Sequence, residues 1–378
     1  MSGHMEPVPG RRDRVGRDRI GTVGRGGRPM ATVAGQHPPR QRRQPPRQGH
    51  ARFSRRAVAL LAVALCLVPV TLSVLGHFAA RSRIAAHGRP AHVTSFPSRA
   101  PDEVVVVPAA ADFPQGLTTG TCLRYRPLQG NRRVTVFVDP GHGGPDPGAS
   151  GATSAGGTVY ERDLTLATAQ ALLPLLRNDG YSVAVSRQSD TAVVRLQPED
   201  TAEGAMTAQG NRLDAQARIA CANAAGAQAL LSINFNAYAD PSVGGAETLY
   251  DAARPFSAVN ARLAASVQQG IVDALRAAGW AVHDRGVVDD SLVGTPALTG
   301  AGAAYGHLLE LGPAASGWLD HPSAMPGVMC EPLFLTNPRE ADIAVSARGQ
   351  QAIARGIRNA LDAYFNTTPP SIKRPSGV

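Results

Sequence analysis

The sequence predicts an α/β domain built on a single open, mostly parallel twisted sheet with helices on both faces. A disordered basic tail and one transmembrane helix are expected ahead of it. Three observations carry this reading. From Val134 onward, short β-branched apolar runs alternate with longer stretches of helical spacing, the pattern of strands joined by crossover helices. The runs are apolar throughout, as strands buried on both faces are. Everything before Val134 lacks that alternation.

Residues 1–56 are rich in Arg, Gly and Pro, with acids only at Glu6, Asp13 and Asp18. Such a segment buries too little apolar surface to offset its ordering entropy, so it is expected to be disordered. It also concentrates the formal net charge of +9. The remainder is close to balanced, and basic positions interleaved with aromatics are missing, so no nucleic-acid groove is expected. Ala57 to Gly76 is uncharged and long enough for a bilayer-spanning helix. Pro69 is tolerable in such a helix. Arg52, Arg55 and Arg56 precede the run, which places the N-terminus inside and the rest of the chain outside. The expectation is a signal-anchor over 57–80 that leaves the rest of the chain extracellular at the cell membrane. A cleaved export signal is the alternative, since Ser54-Arg55-Arg56 resembles a twin-arginine start. Both readings export the rest. Residues 81–130 read as a linker, with an apolar run at Val104–Val107 and room for a strand near the end.

The domain is expected over 131–366. Val134 to Val138 is its first buried strand, ended by Asp139-Pro140. A Gly-rich turn carrying His142 follows, at the strand's carboxyl end, where open α/β sheets bind ligands. Glu161 to Asp179 has helical apolar spacing, flawed by Pro174 and stopped at Gly180. Tyr181 to Ser186 is the next strand, Arg212 to Ala225 a helix, and Ala229 to Ile233 a second buried strand. Ala246 to Tyr250 is a third, and Val259 to Ala278 a long amphipathic helix. His307–Leu311 and Gly327–Phe334 are late strand candidates, and Glu340 to Phe365 a closing helix. Residues 367–378 are a flexible polar tail. None of the four cysteines forms a CxxC pair, so a thiolate zinc site is not expected. Cys122, Cys221 and Cys330 could supply one disulfide outside the cytoplasm, with the pairing left open.

His142, Glu161, Asn234, Asn236 and Glu331 are polar groups placed where strands end or helices begin. Glu161 is also explained by the helix macrodipole, and the two asparagines by turn formation. Glu331 differs, because it interrupts an apolar strand, where a carboxylate is costly unless paired or used.

Five segments occur in order: Val136-Phe-Val-Asp-Pro-Gly-His-Gly-Gly, Glu161 opening a helix, Arg218-Ile-Ala-Cys-Ala-Asn223 running into Leu231-Ser-Ile-Asn-Phe-Asn236, Gly245-Ala-Glu-Thr-Leu-Tyr250, and Glu331-Pro-Leu-Phe-Leu-Thr-Asn337. Together they resemble the zinc-dependent N-acetylmuramoyl-L-alanine amidases of the amidase-3 type. The resemblance implies one Zn2+ and hydrolysis of the amide between N-acetylmuramic acid and the L-alanine of the peptidoglycan stem peptide. It places His142 and Glu161 as zinc ligands and Glu331 as the catalytic acid, and Asn236 beside them is a candidate for binding substrate. The third ligand should be a His, and Asn234 stands there instead. An amide oxygen is a weaker donor than imidazole for zinc. A second reading follows, in which an impaired amidase-like domain acts as a peptidoglycan-binding or regulatory module. His283 and His307 are the histidines that could substitute.

Overall fold

The structure is a computed structural model that describes residues 101–107, 115–293 and 305–367. The basic tail, the apolar run at 57–80 and residues 368–378 lie outside the described residues. Among the described residues, no helix is long and apolar enough to cross a membrane.

The strands are β1 (Glu103–Val104), β2 (Thr121–Tyr125), β3 (Thr135–Pro140), β4 (Ser150–Ala152), β5 (Thr158–Tyr160), β6 (Ser182–Arg187), β7 (Thr201–Ala202), β8 (Ala205–Met206), β9 (Ala229–Ile233), β10 (Ala246–Tyr250), β11 (Asp284–Asp289) and β12 (Gly327–Glu331). Eight of them form one sheet in the order β1-β2-β6-β3-β9-β12-β10-β11, while β4-β5 and β7-β8 are small hairpins. The central four, β6-β3-β9-β12, are mutually parallel. β2 runs antiparallel to β6, and β10 runs antiparallel to β12 while pairing parallel with β11. The sheet is therefore mixed, with a parallel centre.

Five helices accompany it: α1 (Glu161–Asn178), α2 (Ala208–Ala224), α3 (Ser257–Ala277), α4 (Pro338–Val345) and α5 (Ala347–Thr367). Side chains alternate across a strand, so each strand feeds two cores. Val136 and Val138 of β3 join the core filled by α1, α3 and α5. Phe137, between them, joins the core filled by Cys221 and Ala222 of α2 with Leu308 and Leu311. Both faces are thus covered.

Several expectations are corrected. The stretch read as linker over 81–130 contributes β1 and β2, because Cys122, Leu123 and Tyr125 fill core positions and β2 pairs along β6. β3 continues through Pro140, which needs no donor there because its carbonyl is bound by arginine side chains. α1 runs through Pro174 without a break. α2 begins earlier than Arg212, at Ala208, where Thr207 caps the Gly210 N–H. His307–Leu311 is not a strand: Leu308 accepts turn hydrogen bonds from Leu311 and Gly312. The closing helix is two, divided at Ser346, whose hydroxyl accepts from the Gly349 N–H and starts α5. β11 carries too little apolar alternation to be read from sequence.

The open cysteine pairing resolves as Cys122–Cys221, joining β2 to α2. Cys330 is free and buried in the sheet, where burial and the neighbouring Glu331 push its thiol up to about 12. The disulfide spans 99 residues. Replacing both cysteines by alanine is expected to lower unfolding stability by about 2–5 kcal/mol, read as a reduced urea midpoint with an unchanged far-ultraviolet spectrum.

Candidate active site

The turn after β3 is built by two buried guanidiniums. Arg218 of α2 donates to the Asp139 carboxylate at 2.6 Å, the Pro140 carbonyl at 2.9 Å and the His142 carbonyl at 2.7 Å. Its Nε reaches Asp214 at 2.8 Å. Arg187, at the end of β6, approaches from β3's other neighbour. It donates to the carbonyls of Pro140, Gly141, Ser189 and Arg162 and to the Thr165 hydroxyl. Held this way, His142 adopts φ 62°, a left-handed conformation that side chains with a Cβ rarely take. Such strain persists only where the surroundings over-determine it.

The imidazole is fixed as well. His142 Nδ1 lies 2.8 Å from Asp146 Oδ2, and Nε2 lies 3.1 Å from Glu161 Oε2. Burial would lower the His142 pKa, but Glu161 and Asp146 outweigh it and raise it to about 10. The Asp146 bond orients the ring so that Nε2 faces Glu161, the arrangement by which a carboxylate prepares a histidine for a metal. Glu161 sits at the first position of α1 but does not cap its own helix. It reaches back, accepting from the Ala149 N–H at 2.7 Å and the Phe235 N–H at 2.7 Å. Gly148 makes room for the pair: a Cβ there would stand 2.6 Å from Glu161 Oε2 and 2.7 Å from His142 Cδ2.

Asn234 follows β9 and is buried. Its Nδ2 donates to Ser232 Oγ at 3.0 Å, and Ser232 in turn donates to Asp139 at 3.1 Å. Its Oδ1 packs on Gly141, where any Cβ would collide at 2.1 Å.

Glu331 ends β12, with Pro332 stopping the strand. Directly opposite it in the antiparallel pair stands Glu247 of β10. Two like charges in that register repel. Asn236 relieves this in part, its Nδ2 donating to both carboxylates. Arg285 of β11 pairs with Glu247 at 3.2 Å. Glu331 is the member that gives way. Burial, then the charges of Glu247 and Glu161, raise its pKa well above the usual carboxylate range, against the lowering effect of His142. Glu310 is also raised, by burial and by Asp139, against Arg218 and His142.

His142, Glu161, Asn234, Asn236 and Glu331 all line one cavity of about 710 Å³. The same cavity contains Glu247, Arg285, Glu310 and the edge residues Tyr238 and Phe334. Sequence reasoning quoted Glu247 within a motif but gave it no role, and its opposition to Glu331 needed the strand register. His283 is exposed and lines no part of the cavity. His307 does line it, but its ring is turned to Asp251 and Asp290 rather than to Glu161.

A family model described as N-acetylmuramoyl-L-alanine amidase matches residues 136–363. The chain belongs to this family. Among its relatives is an uncharacterized protein, YqiI of Bacillus subtilis, 27% identical over 66% of this chain and 93% of the relative. The germination-specific N-acetylmuramoyl-L-alanine amidase of the same organism is 28% identical over 63% of this chain and 81% of its own length. The solved N-acetylmuramoyl-L-alanine amidase of Clostridium difficile 630 is 26% identical, covering 62% of this chain and all but a small part of that chain (98%), with a TM-score of 0.43.

In this amidase-family chain the Glu247 charge raises Glu331, so removing the charge while keeping the hydrogen bond from Asn236 isolates the effect. Glu247→Gln is expected to move the inflection that Glu331 contributes to the pH profile of kcat/KM toward lower pH. An inflection that stays in place would assign the raised value to burial and Glu161 without Glu247.

Proposed function

We propose that the chain hydrolyses the amide between N-acetylmuramic acid and L-alanine in peptidoglycan, outside the cytoplasm. One observation carries the reading. His142 Nε2 and Glu161 Oε2 meet at 3.1 Å in the wall of the cavity that also contains Glu331. The family membership supports the same reaction.

The donor chemistry fits a divalent cation at two of three positions. An imidazole locked by Asp146 and a carboxylate locked by two backbone amides converge, and Gly148 leaves them uncrowded. Asn234 supplies a neutral amide where an imidazole is expected. A zinc ion held by His142 and Glu161 would lower the pKa of its water and polarise the scissile carbonyl. The chain's own groups do the rest. Glu331, in the same cavity, is placed to accept a proton from the attacking water and then to give it to the leaving amine. Asn236 holds the Glu331 carboxyl in orientation by its hydrogen bond. Arg285 pairs with Glu247 across from it. The exposed Tyr238 offers aromatic surface in the cavity lining for substrate.

Export rests on the apolar run at 57–76 with its arginines on the N-terminal side. The Cys122–Cys221 disulfide supports the same placement, since disulfides persist in oxidising compartments. Anchoring at the cell membrane is our preferred form of that export. The second reading, a wall-binding or regulatory module, is favoured only by Asn234.

Two variants test this. Glu331→Gln is expected to abolish release of stem peptide from purified cell walls while leaving the fold and wall binding in place; full turnover would remove Glu331 from the reaction. Asn234→His is expected to raise zinc affinity by roughly tenfold to a hundredfold or more, by comparison with the smaller perturbations known for supporting residues. Equal zinc affinity in parent and variant, measured by competition with a chromogenic chelator, would show that position 234 does not coordinate.

A further inference from the structure

We propose that Asp251, Asp290 and His307 form a second divalent-cation site in the wall of the substrate cavity. Asp251 follows β10, Asp290 opens a short 3-10 turn, Asp290–Leu292, after β11, and His307 lies in the stretch over 305–312. Both carboxylates are completely buried. Asp251 is four residues along the chain from Glu247, about 13 Å at strand spacing, so this cluster and the Glu331 pair do not share one ion.

Asp251 is half committed and half open, whereas Asp290 Oδ1 shares a hydrogen bond with His307 Nδ1 at 3.4 Å. Asp251 Oδ1 accepts from the Ala253 N–H at 2.6 Å, and Asp290 Oδ2 accepts from the Leu308 N–H at 2.8 Å. Those bonds fix the orientation of the other two oxygens. Asp251 Oδ2 and Asp290 Oδ1 both turn to His307 Nδ1, at 2.9 Å and 3.4 Å. One atom from each residue falls within 4.8 Å of the others. Bonds of about 2.1 Å place neighbouring ligand atoms about 3.0–3.4 Å apart in octahedral or tetrahedral sites. The two oxygen–nitrogen separations match that spacing.

A plain ion triad, with an imidazolium between two carboxylates, is the competing account. It predicts a hydrogen bond along the shortest contact. Asp251 Oδ2 is fully buried and has no hydrogen-bond partner, although His307 Nδ1 is only 2.9 Å away. The approach is close but off the direction a hydrogen bond requires. Leaving such a buried, charged oxygen unsatisfied is costly. A cation at the point where the three donors converge would satisfy it. Two carboxylate oxygens and one imidazole nitrogen suit a divalent ion of the manganese–zinc kind.

The ion would have a structural consequence for the cavity. Leu308, Leu309 and Glu310, next to His307, line it. Binding would tie that wall to the ends of β10 and β11. The proposal does not depend on the amidase reaction or on the ligands proposed for its zinc.

The test uses the full chain carrying His142→Ala, so that the first site is weakened, with MnCl2 as the probe. Manganese binding is followed by electron paramagnetic resonance and by the shift in melting temperature. The His142→Ala chain is expected to bind one Mn2+ and to melt at a higher temperature with it. Adding Asp290→Asn, which keeps the acceptor for Leu308, should weaken binding by about tenfold or more and remove the shift. Adding His307→Ala should do the same, so one variant decides if the other fails to fold. No Mn2+ binding in the His142→Ala chain, or unchanged affinity in the folded double variants, overturns the proposal.

Discussion

The geometry of the site depends on two arginines buried on either side of one turn. Arg187 and Arg218 together bind the carbonyls of Pro140, Gly141 and His142. These carbonyls sit at the carboxyl end of a parallel strand, where no further ladder partner satisfies all of them. The guanidiniums replace that ladder with charge-assisted bonds, which are stronger than neutral ones. Arg218 is itself neutralised by Asp139 and Asp214, whereas Arg187 donates to carbonyls and a hydroxyl. The result is a turn rigid enough to hold a strained histidine at one position and orientation. Function here begins with strand termini being satisfied by side chains instead of by backbone.

The same network explains why the other site residues arrive where they do. Asp139 joins Arg218 to Ser232, and Ser232 joins Asn234. Glu161 bonds the backbone on both sides of the cavity, at Ala149 and at Phe235. It thereby ties the Gly-rich turn to the end of β9. Glu340 of α4 plays a comparable part on the far side, accepting from the Phe334 and Gly245 N–H groups. Helix-start carboxylates are thus used to pin loops and strand ends together, which is a larger role than offsetting a dipole.

What could be read from the chain, and what could not, follows from where the information lies. The apolar runs, the Gly-rich turn and Glu331 inside an apolar strand are local patterns, and they located β3, β9, β12 and the main site residues. Glu247 needed the pairing of β10 with β12, a contact between residues 84 positions apart that no local pattern encodes. Arg187 reads as an ordinary polar strand end until its carbonyl partners are placed around it. Asp251, Asp290 and His307 look like turn residues one by one. β2 was hidden because its apolar character is short and lies beyond a Pro-rich stretch, although it is tied to α2 by the disulfide. His307–Leu311 misled in the other direction: its leucines pack in two different cores from a turn, which mimics the alternation of a strand.

The replacement of an imidazole by Asn234 has to be weighed against the charge around it. Asp146, Glu161, Glu247, Glu310 and Glu331 all line the cavity, with Arg218 and Arg285 as the fixed cations among its lining residues. Arg218 is largely spent on Asp139 and Asp214, and Arg285 on Glu247. The His142 imidazole, raised by Glu161 and Asp146, and the Glu331 carboxyl, raised by burial and then by Glu247 and Glu161, both feel neighbouring carboxylates. A divalent cation would relieve both at once, returning His142 to its neutral, ligating form. A neutral amide at position 234 weakens one bond to such an ion but does not change that long-range attraction. The carboxylates that line the cavity would therefore attract a cation whatever residue stands at position 234.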